Sequence, residues 1–393
     1  YKIMKKKIIF FDIEGGHGGS SRSLYYTLQN LNLRKFDITV VCKKNSWVKI
    51  KYLKKGIHCK IFNEIPCFSS LKGWINNILL FFKFITIVWP KFYVNKQKYI
   101  KLIKQNDVVH LNQISLVFFG LWIKKKFPNK IITMHIRTMP YDNFFSWLKI
   151  YVSKQICEKF IFITKHEKKH MQNILEIEKI KGDIILNPLP DWKLNSKTIK
   201  NKINIASLSN YDFERGTDRV LEVASMIPQN IRKNYTFHMI GDYKIRKKIR
   251  NFFSKKDNLI NHAKYLGVKN MFKFYGHVDF PEIILNKCQY LIKLTRENNA
   301  WGRDVIESMY LGLGILATGN KNNFIKNNYN GYLFKKYSPK KISILISRLN
   351  KNIIKKHQYS SKILINKLCN KKNLNNQFEK FWLSIPKNHE NNC

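Results

Sequence analysis

Acidic side chains are scarce in this chain: 25 Asp and Glu stand against 72 Lys and Arg over 393 residues, a formal net charge of +47. So lopsided a balance draws the protein towards anionic partners, whether nucleic acid, a phosphate-bearing substrate or an acidic membrane surface. Arginine is scarce too, with 11 of those 72 cations. The excess of lysine, with abundant Asn and Ile, is also what an AT-rich genome produces without selection for binding. Cysteines number seven, and none forms a C-x-x-C pair or another metal-like spacing. That spread excludes a zinc site and a disulfide framework, and it suits a reducing compartment. The apolar run at 8–13 is too short for a signal sequence and contains Asp12, so it reads as a first buried strand. Uninterrupted apolar runs of the roughly 20 residues a spanning helix needs are missing as well. The nearest approach, Trp74–Val94, is interrupted by Asn76, Asn77, Lys83 and Pro90. It reads either as a helix lying in a membrane interface or as a buried core helix.

What is present is a core-forming chain: 44% hydrophobic and 14% aromatic, with no disorder signature. Strand-like runs alternate with helical patterns, which predicts an α/β fold with parallel sheets. In the first half, 7–12, 37–42, 107–111, 130–135 and 160–164 read as strands. A polar stretch at 187–201 carries two prolines and reads as a linker. The alternation then restarts, with strands expected at 203–208, 236–240, 272–275, 290–294 and 314–318. The resulting division is 1–187, a first Rossmann-like domain; 188–201, a linker; 202–350, a second such domain; and 351–393, a helical tail. Doubly wound sheets take ligands at the carboxyl ends of their strands.

Three segments carry candidate chemistry. Directly after the first strand runs Glu14-Gly15-Gly16-His17-Gly18-Gly19-Ser20-Ser21-Arg22, a glycine-rich loop opening a helix, whose free N–H groups suit an anion. It lacks the G-x-G-x-x-G spacing, and the second strand ends in basic Lys43-Lys44 where a dinucleotide site wants an acid. An NAD or FAD site is therefore not expected, and a purely structural turn is the competing reading. Glu214-Arg215-Gly216-Thr217-Asp218 places a cation at the start of an amphipathic helix, which suits a phosphate; an ordinary capped helix would look similar. The third segment runs Asn298-Asn299-Ala300-Trp301-Gly302-Arg303-Asp304-Val305-Ile306-Glu307. There Gly302 opens a helix whose amides suit a diphosphate, and the Glu307 carboxylate can accept two hydrogen bonds from a ribose diol.

Taken in order, these segments resemble glycosyltransferase family 4, the group 1 glycosyl transferases of GT-B fold. The glycine-rich loop, Ile185-Leu186-Asn187-Pro188, the Arg215 segment, and the block from Trp301 through Gly319 with Asn330-Gly331-Tyr332-Leu333 each look like a family element. The likeness spans about 7–335. It implies two Rossmann-like domains facing each other across an interdomain cleft, and a cytoplasmic enzyme, peripheral at the inner face of the cell membrane. That enzyme would transfer a hexosyl group from a nucleoside-diphosphate sugar to a saccharide or lipid-linked acceptor, as in capsule or lipopolysaccharide synthesis, with retained configuration. No metal and no cofactor beyond the donor are expected, and no D-x-D metal motif is present. By the same resemblance, His135, Asn299 and Glu307 are catalytic candidates. Gly15, Gly16, Gly18, Gly19, Arg215, Gly216, Gly276, Gly302, Arg303 and Glu307 would bind the donor.

Two positions depart from the family pattern. Asn299 stands where the first Glu of the E-x7-E motif belongs, with Glu297 two residues early, and Ser209 and Asn210 stand where a phosphate-binding Arg is usual. Two other classes fit the composition less well. One is a GT-B epimerase or phosphorylase. The other is a nucleic-acid-binding protein, disfavoured because its basic residues are not striped with aromatics.

Overall fold

The structure, a computed structural model, describes residues 5–16, 18–192, 202–244 and 258–386. His17, most of the expected linker (193–201) and the end of the expected tail (387–393) lie outside the described residues. The chain forms two compact units, Tyr1–Pro188 with Lys371–Cys393, and Leu189–Asn370.

Unit 1 is built on seven strands: β1 (Lys6–Asp12), β2 (Phe36–Cys42), β3 (His58–Ile61), β4 (Val108–Leu111), β5 (Ile131–Ile136), β6 (Lys159–Phe162) and β7 (Gly182–Ile184). All pair in parallel, in the order β3-β2-β1-β4-β5-β6-β7. Their continuous apolar runs follow from burial on both faces: Ile8, Ile9, Phe10 and Phe11 are wholly buried. Unit 2 has six parallel strands: β8 (Ile203–Leu208), β9 (Tyr235–Ile240), β10 (Phe272–Gly276), β11 (Tyr290–Lys293), β12 (Gly314–Thr318) and β13 (Gly331–Phe334). Their order is β10-β9-β8-β11-β12-β13. In each sheet the order reverses beside the first strand, so the ligand-accepting crevices open past β1 and β4 and past β8 and β11.

The ten strands read from the sequence are all present, with ends shifted by at most two residues. The three not anticipated, β3, β7 and β13, are edge strands of three or four residues. Such strands are too short and too exposed on one side to show an apolar run.

The expected separate tail is divided between the units. The helix Lys351–Leu368 belongs to unit 2, where His357 Nδ1 meets the Tyr290 hydroxyl at 2.8 Å. The next helix, Lys371–Leu383, belongs to unit 1. Its Trp382 is 1% exposed and sits edge-on to Phe10 at 5.2 Å and to His110 at 5.6 Å. An apolar stripe of Leu374, Phe378, Phe381 and Trp382 has to be covered, and the open face of the unit 1 sheet covers it.

Trp74–Val94 is one composite helix of 21 residues, long and apolar enough by length and composition to cross a membrane. It runs as α-helix over Trp74–Lys83, widens to a π turn at Phe84–Val88 and resumes over Trp89–Val94. Pro90 explains the widening, because its ring has no N–H for the Thr86 carbonyl and crowds it.

Candidate functional site

The carboxyl end of the unit 2 sheet gathers the second and third sequence segments into one crevice. Its walls are Ser207–Ser209 at the end of β8, Lys293–Thr295 at the end of β11, Arg215–Thr217 and Asp304. Gly216 makes the turn between β8 and the helix Thr217–Ser225, at φ 65°. A Cβ there would lie 2.0 Å from the Leu294 carbonyl oxygen, so only glycine lets the loop approach β11 this closely. The loop is also tied laterally. Arg296 forks onto both carboxylate oxygens of Asp218 at 2.8 and 2.7 Å, and its guanidinium stacks 4.1 Å above the Phe213 ring. The Arg296 amide and the Thr295 hydroxyl both donate to the Glu214 carbonyl, at 2.8 and 3.0 Å. These bonds hold Arg215 at the rim, half exposed, with Nη1 3.7 Å from the Glu297 carboxylate.

Gly302 caps the helix Arg303–Tyr310 at the same edge. Lys293, reaching from β11, donates to Asp304 in the first helical turn at 2.7 Å, with both side chains largely buried. Glu307 is 1% exposed, and its Oε1 accepts from Arg303 Nε at 2.8 Å, one turn earlier on the same face. Asn299 holds the approach to this helix: its Oδ1 accepts from the Trp301 amide at 3.3 Å, and its backbone bridges to Lys321. Asn298 beside it takes the left-handed conformation, φ 57°, and accepts from the Asn320 amide at 2.6 Å. The amide at 299 thus shapes the loop, while the nearest carboxylate, Glu297, is directed at Arg215. Gly276 ends β10, and its carbonyl accepts from Gly241 at 2.7 Å. Arg215, Gly216, Gly302, Arg303, Glu307 and Asn299 therefore share one sheet edge, with Gly276 two strands away beyond β9.

Unit 1 distributes its candidates differently. The Gly15 amide donates to Asp12 Oδ2 at 2.8 Å and the Gly16 amide to the Ser21 hydroxyl. Two amides expected to face a diphosphate are thus engaged within the loop. Gly15 sits at φ 59°, and a Cβ there would lie 2.1 Å from the Lys44 carbonyl oxygen, so the turn needs glycine. Gly18 caps the helix Gly19–Leu28, and the Glu14 carboxylate bends back to the Ser20 hydroxyl at 2.6 Å. Burial raises the Glu14 pKa above the ordinary carboxylate range.

His135 faces the core. It is 2% exposed, 6.0 Å from the His110 ring and 6.5 Å from Phe378, and burial drives its pKa well below the usual value. The strand-end cation of β5 is instead Arg137, which the sequence analysis did not single out. Its Nε donates to Asn112 Oδ1 at 2.8 Å and its Nη1 to Asn187 Oδ1 at 2.9 Å, while Asn112 Nδ2 donates to Asp12 Oδ1 at 2.9 Å. This polar row crosses the carboxyl edge of the sheet at β1, β4, β5 and just past β7. The available signal was position: each member falls at, or within three residues of, the end of its strand. Among the described residues, no cluster of three or more His, Cys, Asp or Glu is set to hold a metal ion, and none of the cysteines is in a disulfide.

With this geometry in place, residues 191–363 match the family Glycosyl transferases group 1. The matched span is a little under half of the chain, and the family it matches is one of transferases. An uncharacterized glycosyltransferase of Methanocaldococcus jannaschii is 28% identical over 143 residues, 35% of this chain and 36% of that protein, so the match spans about a third of the relative's length. Solved glycosyltransferase structures share the fold over nearly the whole chain. Anabaena HepE, determined with UDP and glucose, superposes with a TM-score of 0.73 at 14% identity, over 97% of this chain and 100% of that one. WaaG, a glycosyltransferase involved in lipopolysaccharide biosynthesis, gives 0.65 at 13% identity, over 95% and 99%. The two-sheet α/β architecture is the GT-B fold. The group 1 domain coincides with the crevice-bearing unit 2.

Proposed function

We propose that the chain is a family 4 glycosyltransferase. It would take a sugar from a nucleoside-diphosphate donor and pass it, with retained configuration, to a surface polysaccharide or a lipid-linked saccharide. The observation that carries this reading is the convergence of Arg215, Lys293 and the start of the Arg303–Tyr310 helix on one crevice, beside buried Glu307. In the reaction, the bond between the sugar carbon and the diphosphate oxygen breaks, and a bond to an acceptor hydroxyl oxygen forms. The electron pair leaves with the diphosphate, which takes up the proton that the acceptor hydroxyl gives up.

Catalysis then requires positive charge where the leaving group becomes more negative. Arg215 and the helix-start amides supply it, each well-placed donor contributing on the order of a few kcal/mol. That charge takes the place of a metal in this reading. Glu307 holds the ribose, exchanging its bond with Arg303 for the diol. Asn299 positions the loop, and Glu297 is the carboxylate facing Arg215 at the rim. The acceptor is assigned to unit 1, at the edge formed by Glu14, Ser20 and the row ending in Arg137. His135 supports that edge from beneath. We assign the reaction to the cytoplasmic side of a membrane, as the resemblance implies.

Titration calorimetry with UDP, GDP and ADP tests the donor site, with UDP first because HepE holds UDP. Binding of one diphosphate that disappears in Arg215→Ala supports the reading. Failure of all three to bind a folded protein would remove it.

A further inference from the structure

The composite helix Trp74–Val94 leaves a large apolar face uncovered. Ile75 is 72% exposed, Phe82 67% and Val94 83%, with Leu79 and Ile85 more than half exposed between them. Their spacing puts them along one side of the helix. The opposite side is fastened to unit 1. Phe92 is wholly buried, edge-on to Tyr99 at 5.1 Å and to Trp122 at 4.8 Å, and Phe84 packs with Phe68 and Phe145. Asn77, also wholly buried, accepts from the Leu71 amide at 2.6 Å and donates to the Leu71 and Gly73 carbonyls at 2.7 and 2.8 Å. Leaving the protein to span a bilayer would strip these contacts, so the helix is built to lie along a surface.

A second element extends the face. Asn143 donates to the Leu71 carbonyl at 2.9 Å, which brings the helix Phe144–Ile156 alongside. Trp74, Phe144, Trp147 and Tyr151 then follow one another ring to ring at 6.1, 6.0 and 5.3 Å, all exposed. Trp74, Trp147 and Tyr151 in this row each carry a polar tip on an apolar ring, which suits the headgroup level of a bilayer, and Phe144 adds apolar area between them.

The charge decides the occupant. Residues 65–106 contain seven lysines and no Asp or Glu. Lys72, Lys83 and Lys91 are exposed on or beside the helix itself. A lysine-flanked apolar stripe fits lipid chains within a negatively charged headgroup layer. It fits a second copy of this chain poorly, since like charges would meet across the seam.

We propose that Trp74–Val94, with Phe144, Trp147 and Tyr151, is a docking surface for an anionic bilayer, into which the helix sinks sideways while unit 1 stays folded. The proposal does not depend on which ligand the group 1 domain takes. The test uses the full chain, prepared without detergent and mixed with phosphatidylcholine vesicles with and without phosphatidylglycerol. The expected result is co-sedimentation with the phosphatidylglycerol vesicles, weakened by added salt. Partitioning should fall at least about tenfold in the double variant Leu79→Glu, Phe82→Glu. Both side chains are exposed, so melting temperature and nucleotide binding should be unchanged, which separates this proposal from that of the donor site. Absence of sedimentation with either vesicle overturns it, as does equal binding by the double variant. Sedimentation that resists alkaline extraction overturns it in favour of a spanning helix. A concentration-dependent dimer that the double variant abolishes, without vesicle binding, gives the face to a second copy.

Discussion

Arg215 and Glu297 stand 3.7 Å apart at the rim of the unit 2 crevice, a cation and a carboxylate set on the same loop pair by the Arg296–Asp218 fork. The pair is long and partly solvated, so it contributes little to stability. Its consequence is for ligands: the carboxylate competes with any phosphate for the guanidinium. Arg215→Ala should weaken nucleoside-diphosphate binding about ten- to a hundredfold, as loss of one charged hydrogen bond does. Glu297→Gln should leave the diphosphate bound at least as tightly while slowing sugar transfer. Calorimetry beside a transfer assay separates the two, and tighter binding in Arg215→Ala would contradict the assignment.

Gly216 tests the crevice wall. Alanine there must adopt φ 65° and place its Cβ against the Leu294 carbonyl. The turn should open at a cost of about 2 kcal/mol, lowering the melting temperature by several degrees and weakening diphosphate binding. An unchanged melting temperature would mean that the close approach to β11 is not required.

Trp382 tests the sharing of the C-terminal residues. Although it lies near the end of the chain, it fills the unit 1 core beside Phe10 and Phe378. Trp382→Ala should cost unit 1 about 3–5 kcal/mol, seen in denaturant unfolding as an earlier transition of that unit. Nucleotide binding by unit 2 should persist below that transition.

Buried histidines set the acid limit. Burial lowers the pKa of His238 and His357 to about 4, and pushes His110 and His135 well below their usual value. In the unfolded chain these rings titrate near pH 6.5. Between those values the unfolded state binds more protons, so the stability these groups contribute is complete above about pH 6.5 and is lost as the pH falls towards 4. Each histidine adds a slope of up to about 1.4 kcal/mol per pH unit. Melting temperature should fall steeply below pH 6, and His238→Gln should flatten that fall. A flat profile from pH 7 to 5 would show these rings protonated in the fold.

The central strands and the glycine-, arginine- and glutamate-bearing segments were legible in the sequence because they are local. A strand buried on both faces must be apolar throughout, and a close turn such as that at Gly216 needs glycine whatever surrounds it. Edge strands β3, β7 and β13 left no such mark, because one side of each is open. The amino-acid order alone therefore determined two parallel α/β sheets and which segments lie at the carboxyl ends of their strands. Tertiary structure decided the rest. It turned His135 into the core and Arg137 onto the polar row, and set Glu297 rather than Asn299 against Arg215. It also gave the two C-terminal helices to different units, and buried one side of Trp74–Val94 while leaving the other bare. Each of these depends on what lies across from a side chain, and residues far apart in sequence supply that only when the sheets close.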